Sequence, residues 1–124
     1  MIKEAYCSYE VAKLLKEKRF DTPCMGRYSV RSMEFHLDCT KMCNNGGLFE
    51  YAAPSQAMAM KWLREIHDLI IYVKLVNDGD ICHDALGFVI YNKFTNEYIK
   101  SDKLCFKYEE ACEEAILYCL KNLI

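Results

Sequence analysis

Eight cysteines and three histidines are the residues of this chain with the most chemistry to offer. Cys7, Cys24, Cys39, Cys43, Cys82, Cys105, Cys112 and Cys119 are spread along 124 residues, with His36, His67 and His83 among them. The tightest grouping is His36, Cys39 and Cys43, to which the adjacent Cys82 and His83 could add. Zinc takes four nitrogen or sulfur donors at tetrahedral corners, and structural sites show paired short spacings. Here no Cys-x-x-Cys occurs, one spacing is irregular, and neighbours such as Cys82 and His83 would point apart on a strand. A half-exposed histidine beside a thiol-bearing loop is the leading expectation, and a small zinc-binding domain the alternative.

A catalytic thiol needs a lowered pKa and a base within hydrogen-bond reach. With this many thiols and imidazoles, their co-occurrence has no weight by itself. No Gly-Lys-Ser/Thr phosphate loop, Gly-x-Ser-x-Gly elbow, His-Glu-x-x-His pair or dinucleotide fingerprint is present, and Gly46-Gly47 and Gly87 stand apart. The carboxylates Glu109, Glu110, Glu113 and Glu114 fit a solvated helix start, where the macrodipole favours negative charge. No catalytic, cofactor-binding or metal-ligating residue is assigned, no cofactor is expected, and the chain reads as a non-enzyme.

The cysteines then need another account. The chain opens Met1-Ile2-Lys3-Glu4 with no apolar run of signal-peptide length, and its longest apolar run, Leu69 to Val73, is far too short to span a bilayer. The expected address is cytoplasmic, away from any membrane, where thiols stay reduced. Cys105, Cys112 and Cys119 recur every seven residues, which places the last two on one helix face. Free cysteine packs there as a small apolar residue.

Charge bears on partners. The formal net charge is −2 and the pI about 5.9. Residues 1–53 carry eight Lys or Arg against seven Asp or Glu, and the remainder eight against eleven. Nucleic-acid binders usually show a basic excess, because each neutralised phosphate needs a cation, so the balance argues against nucleic acid. A local patch could still form from Lys13, Lys16, Lys18, Arg19, Arg27 and Arg31.

Three amphipathic helices and a set of strands must position these residues. Ser8 can cap the first helix, which carries a stripe of Val11, Ala12, Leu14 and Leu15 and should end near Arg19. The second opens at Pro54-Ser55-Gln56, with Ala59, Trp62, Leu63 and Ile66 at helical spacing. Trp62 should pack internally, and Met58, Met60 and Trp62 mark where a partner-facing patch would lie. The third runs from Tyr108 through Ala111, Cys112, Ala115, Ile116, Cys119 and Leu120 to Leu123. Strands are expected at Tyr28 to Leu37, Leu48 to Tyr51, Leu69 to Val76, Phe88 to Tyr91 and Tyr98 to Lys100, with turns at 77–80 and 92–96 and a loose loop over 38–47.

The order α-β-β-α-β-β-β-α describes one α+β domain over 1–124, a small mainly antiparallel sheet covered by three amphipathic helices. From Ser55 onward the order α-β-β-β-α matches double-stranded RNA-binding domains, which makes a nucleic-acid-binding module an alternative, although topology alone does not carry function. Echoes between Lys13-Leu14-Leu15-Lys16-Glu17 and Lys61-Trp62-Leu63-Arg64-Glu65, and between Tyr9-Glu10-Val11-Ala12 and Tyr108-Glu109-Glu110-Ala111, raise the question of a duplicated helix–hairpin unit.

The segment Ala53-Pro54-Ser55-Gln56-Ala57-Met58-Ala59-Met60-Lys61-Trp62-Leu63-Arg64-Glu65-Ile66-His67 resembles one found in small uncharacterised proteins of Bacteroides-type gut bacteria and their phages. The stretches from Tyr9 to Glu17 and from Tyr108 to Ile116 are similar to that group's other two helices, in the same order. The resemblance covers about a third of the chain. It implies an accessory protein of a phage, prophage or mobile element in an anaerobe, which suits abundant reduced thiols, and it transfers no catalytic or binding residue. The expected function is accordingly association with an unidentified protein partner or self-association.

Overall fold

A computed structural model describes residues 2–76 and 85–124. The fold class is α+β, with elements in the order α1 (Tyr9–Glu17), β1 (Gly26–Ser29), β2 (Phe35–Leu37), β3 (Glu50–Ala52), α2 (Gln56–His67), β4 (Leu69–Val76), β5 (Ala85–Asn92), β6 (Glu97–Lys100) and α3 (Tyr108–Tyr118). A π-helical turn, Cys119–Leu123, continues α3. The turn expected at 77–80 and the pair Cys82-His83 lie outside the described residues.

Helix boundaries follow local chemistry. The Ser8 hydroxyl accepts from the Val11 N–H at 3.2 Å, and the Ser55 hydroxyl from the Met58 N–H at 3.1 Å, so each satisfies an orphan donor of its helix. α1 stops in a Schellman motif. Arg19 adopts a left-handed φ of 67°, its N–H reaches the Lys16 carbonyl, and the Phe20 N–H reaches the Leu15 carbonyl. Phe20 and Leu15 are both buried, supplying the apolar contact that accompanies this ending.

The strands divide into two three-stranded antiparallel sheets rather than one, in the orders β2-β1-β3 and β4-β5-β6. The expected strand from Tyr28 to Leu37 is a hairpin, with Met33 at a φ of 59° in its turn. Gly26 of β1 is required by close approach: a Cβ there would run into the Ala53 carbonyl oxygen and stand 3.0 Å from the Phe35 ring. Tyr28 and Tyr51 pack their rings on Tyr9 of α1, at 5.6 and 5.5 Å.

The second sheet is a meander. Its β5–β6 turn is held by Asn92, whose side-chain oxygen accepts from the Phe94 and Thr95 N–H groups, and by Asn96 in the left-handed region at φ 58°. Helices α2 and α3 lie against this sheet. The first sheet has its earliest strand in the centre and the second its middle strand, so the two halves are not copies of one pairing scheme.

One buried cluster joins both halves. It draws Val11 and Leu15 from α1, Trp62 and Leu63 from α2, Leu69 and Ile90 from the second sheet, and Ile116, Cys119 and Leu120 from the C-terminal helix. Trp62 is internal, edge-on to Phe20 at 5.3 Å and to His67 at 4.7 Å. Cys7, Cys24, Cys43, Cys105, Cys112 and Cys119 are buried, as expected of packed thiols, and Cys39 is exposed.

Candidate functional site

The described zinc-donor candidates, His36, Cys39 and Cys43, do not converge. His36 sits on β2 with its side chain more than half exposed, its Nε2 3.9 Å from a Glu34 carboxylate oxygen. Cys39 is exposed, whereas Cys43 turns into the core and pairs across an antiparallel bridge with Cys24. Among the described residues no group of three or more His, Cys, Asp and Glu could hold a metal ion.

The basic patch is largely tied down. Lys16 donates to the Gly47 and Glu50 carbonyls, and Lys18 Nζ to the Ile124 main-chain oxygen at 2.7 Å. Arg27 lies 3.0 Å from Asp38 and 3.6 Å from Glu50, and Arg31 stacks over Phe49 at 5.6 Å. The guanidinium beside Asp38 helps hold that carboxyl below the usual range, after the larger effect of hydrogen bonds from Thr40. Carboxylates neutralise Arg27, whereas the carbonyls and the ring orient Lys16, Lys18 and Arg31 and leave their charge in place. The polar groove around Arg27, lined also by Ser29, His36 and Glu50, is thus an internally paired surface.

The glutamates at the head of α3 are not all solvated. Glu109 and Glu110 are exposed, but Glu113 accepts from the Ser8 N–H at 3.2 Å and from the Gln56 amide at 3.4 Å. That carboxylate joins the N-termini of three helices, a structural role its sequence position did not reveal.

The feature with most to offer a partner is the edge of the second sheet. Among the described residues β4 pairs only with β5, from Leu69 opposite Asn92 to Val76 opposite Ala85. The Lys93 N–H donates to the Asp68 carbonyl at 2.9 Å, which fixes the phase of the ladder. Alternation then turns the main-chain groups of Ile70, Tyr72, Lys74 and Val76 toward β5 and those of Leu69, Ile71, Val73 and Leu75 away from it. Leu69 is buried at 1% exposure, so the accessible part of the second set is three donor–acceptor positions, Ile71, Val73 and Leu75, on an eight-residue strand whose one charge is Lys74. No protein-family model, curated protein or solved structure matches the chain.

The same register sorts the side chains. Leu69, Ile71, Ile90 and Ile99 face the core. Ile70, Tyr72, Lys74 and Val76, with Tyr91, Tyr98 and Lys100, occupy the opposite face. Tyr72 is 50% exposed, Leu75 57% and Tyr98 66%, and the Tyr91 and Tyr98 rings stack at 4.7 Å. β-branched and aromatic composition made β4 legible as a strand. Its place at the margin of the sheet had no sequence signal. The Met58–Met60–Trp62 cluster is the weaker surface, because Trp62 is buried and Met60 packs against the core. Among the described residues no helix is long and apolar enough to cross a membrane.

Proposed function

We propose that this chain is a non-enzymatic accessory protein that acts by strand addition at β4, with a second copy of itself as the first occupant. The observation that carries this is the outward row at Ile71, Val73 and Leu75, which among the described residues pairs with no strand. Natural sheets blunt such edges with short strands, proline or charge, and β4 is long, lacks proline and has one lysine. Extended partners add to edges of this kind through main-chain hydrogen bonds.

Self-pairing has a favoured register. Antiparallel copies must set outward residues against outward residues. The greatest overlap of the accessible positions places Ile71 of one copy opposite Leu75 of the other and Val73 opposite its own equivalent. Tyr72 then faces Lys74 of the other copy, so no like charges meet. The two fall at a non-hydrogen-bonded position, where side chains approach most closely. The Lys74 ammonium over the tyrosine face contributes about 0.5–1 kcal/mol. The product is one continuous six-stranded sheet.

Sedimentation velocity over a concentration series tests this. The wild-type chain should pass from monomer to dimer as concentration rises. Tyr72→Lys, which sets two ammonium groups opposite each other, and Leu75→Pro, which deletes an outward N–H without touching the β5 ladder, should both remain monomeric. Unchanged circular dichroism would show that the variants fold. A wild-type chain that stays monomeric at high micromolar concentration, or a dimer indifferent to both substitutions, overturns the proposal.

A second reading follows from the outer face of the same sheet. Tyr72, Tyr91 and Tyr98 alongside Lys74 and Lys100 resemble the aromatic and basic platforms on which single-stranded bases stack. The α-β-β-β-α order of this half fits a nucleic-acid module, and its acidic balance opposes one. Fluorescence polarisation with labelled single strands at low salt, wild type against Tyr98→Ala, separates the two. The likeness to Bacteroides-type and phage proteins supports a mobile-element role, and the buried free thiols suit a reducing cytoplasm.

A further inference from the structure

The geometry points to a covalent modification site: Cys24 and Cys43 are placed to be joined by an intramolecular disulfide when the protein meets a disulfide oxidant. Three observations converge on this pair. The two residues stand directly opposite each other in an isolated antiparallel bridge. Each donates its N–H to the other's carbonyl, both at 2.9 Å. An antiparallel pair that exchanges both hydrogen bonds holds its Cα atoms about 5.5 Å apart with both side chains on one side. Disulfides span Cα separations of roughly 4.4–6.8 Å, most often about 5.5–6 Å. The Cα separation therefore lies within that range, while the Cβ atoms of such a pair, about 5.5 Å apart against the roughly 3.5–4.5 Å of a disulfide, must draw together as the bond closes.

The two side chains also lie on one side of the bridge, although Cys24 Sγ donates to the Thr22 carbonyl at 3.4 Å. Both belong to the same buried cluster, with 8% of Cys24 and 7% of Cys43 exposed, and Cys24 Sγ lies 3.7 Å from the Cys43 carbonyl oxygen. The bridge sits at the base of the segment that carries β1 and β2, and the loop beyond Cys43 is already pinned on either side. Asn45 donates to the Phe20 carbonyl at 2.7 Å and accepts from the Ala52 N–H at 2.7 Å. A covalent link would fasten a segment whose non-covalent anchors are in place.

The oxidant is of the glutathione disulfide class. A thiolate of the pair attacks one glutathione sulfur, forming a mixed disulfide and expelling a glutathione thiolate, which takes up the proton released. The second protein thiol loses its proton, attacks the protein-side sulfur of the mixed disulfide and releases the second glutathione. Two protein thiols and one glutathione disulfide become one protein disulfide and two glutathiones, two electrons passing to the glutathione. Burial first, and the neighbouring Cys43 second, push the Cys24 thiol up to about 11. Exchange should accordingly be slow at neutral pH and accelerate in mild alkali, as the thiolate population grows.

The test uses the full-length native protein and glutathione disulfide, followed by alkylation of remaining thiols and tryptic mapping without reduction. Arg19, Arg27, Arg31, Lys41 and Lys61 place Cys24 in a peptide of residues 20–27 and Cys43 in one of residues 42–61, apart from those holding Cys7 and Cys39. The expected result is a linked 20–27/42–61 species. It should form faster as pH rises, revert with dithiothreitol, and accompany a higher urea midpoint of the oxidised protein. Cys24→Ser and Cys43→Ser should each abolish the species, and the wild-type map stands even where a variant fails to fold. Linkage of a different pair, glutathione adducts that never resolve to the bridge, or linkage that appears only in denaturant would overturn the inference.

Discussion

Glu113 and Gln56 meet between α3 and α2, the Gln56 amide nitrogen 3.4 Å from one carboxylate oxygen while the other accepts from the Ser8 N–H at 3.2 Å. The same amide donates to the Glu109 carbonyl at 2.9 Å. Gln56 is buried, and this small network is what satisfies it. Glu113→Ala would leave the Ser8 N–H and part of the Gln56 amide without partners. The expected loss is about 1–3 kcal/mol in urea unfolding, with Glu113→Gln losing less because its amide oxygen still accepts. Equal stability of Glu113→Ala and wild type would show that the junction is incidental.

Arg19 occupies a left-handed conformation at φ 67° on an exposed site, where glycine is the residue that fits without steric cost. Arg19→Gly should therefore stabilise the protein by about 0.5–1 kcal/mol, the relief at C′ outweighing the greater freedom of the unfolded chain. A lower thermal midpoint for the variant would contradict this.

Gly26→Ala should act in the opposite direction. The added methyl would meet the Ala53 carbonyl oxygen, a backbone atom that cannot rotate away. Overpacking of this kind costs about 1–3 kcal/mol. Denaturant unfolding measures it directly, and an unchanged midpoint would mean that β1 and the Ala53 strand end have room to separate.

His67 gives the chain an acid-sensitive joint. Its buried Nε2 has no hydrogen-bond partner among the described residues, and burial, against the opposing pull of Asp68 and helped by Lys18, lowers its pKa below the usual value. A histidine with a depressed folded-state pKa takes up its proton more readily in the unfolded chain. Stability should be full above about 6.5 and should fall as pH drops from there through the folded-state value, levelling off below it. His67→Phe should remove that part of the pH dependence while keeping the contact with Trp62. Parallel curves for variant and wild type between neutral and mildly acidic pH would refute it.

The helices were legible from local cues: serine caps at Ser8 and Ser55, acidic first turns in α1 and α3, and apolar spacing in all three. The hairpin within Tyr28 to Leu37 was not, since its turn holds Met33 rather than glycine or asparagine in the left-handed region. Splitting of the strands into two sheets depends on Gly26 against Ala53 and on tyrosine packing across α1, contacts between residues far apart in sequence. The site was legible only in part. The thiols read as packed and most are, but the partnership of Cys24 with Cys43 needed the register of a bridge spanning 19 positions. The open margin of the second sheet likewise became visible only once β4, β5 and β6 were in order.

The bond from Ser8 to Glu113 closes a separation of 105 residues, and that from Lys18 to Ile124 one of 106. During synthesis α1 is made well before α3, and these anchors exist only once α3 has left the ribosome. Until then its Val11 and Leu15 lack Ile116 and Leu120 as neighbours in the cluster. Made early and anchored late, α1 keeps its greasy side uncovered in the interval, and that is the surface a chaperone would meet on the nascent chain.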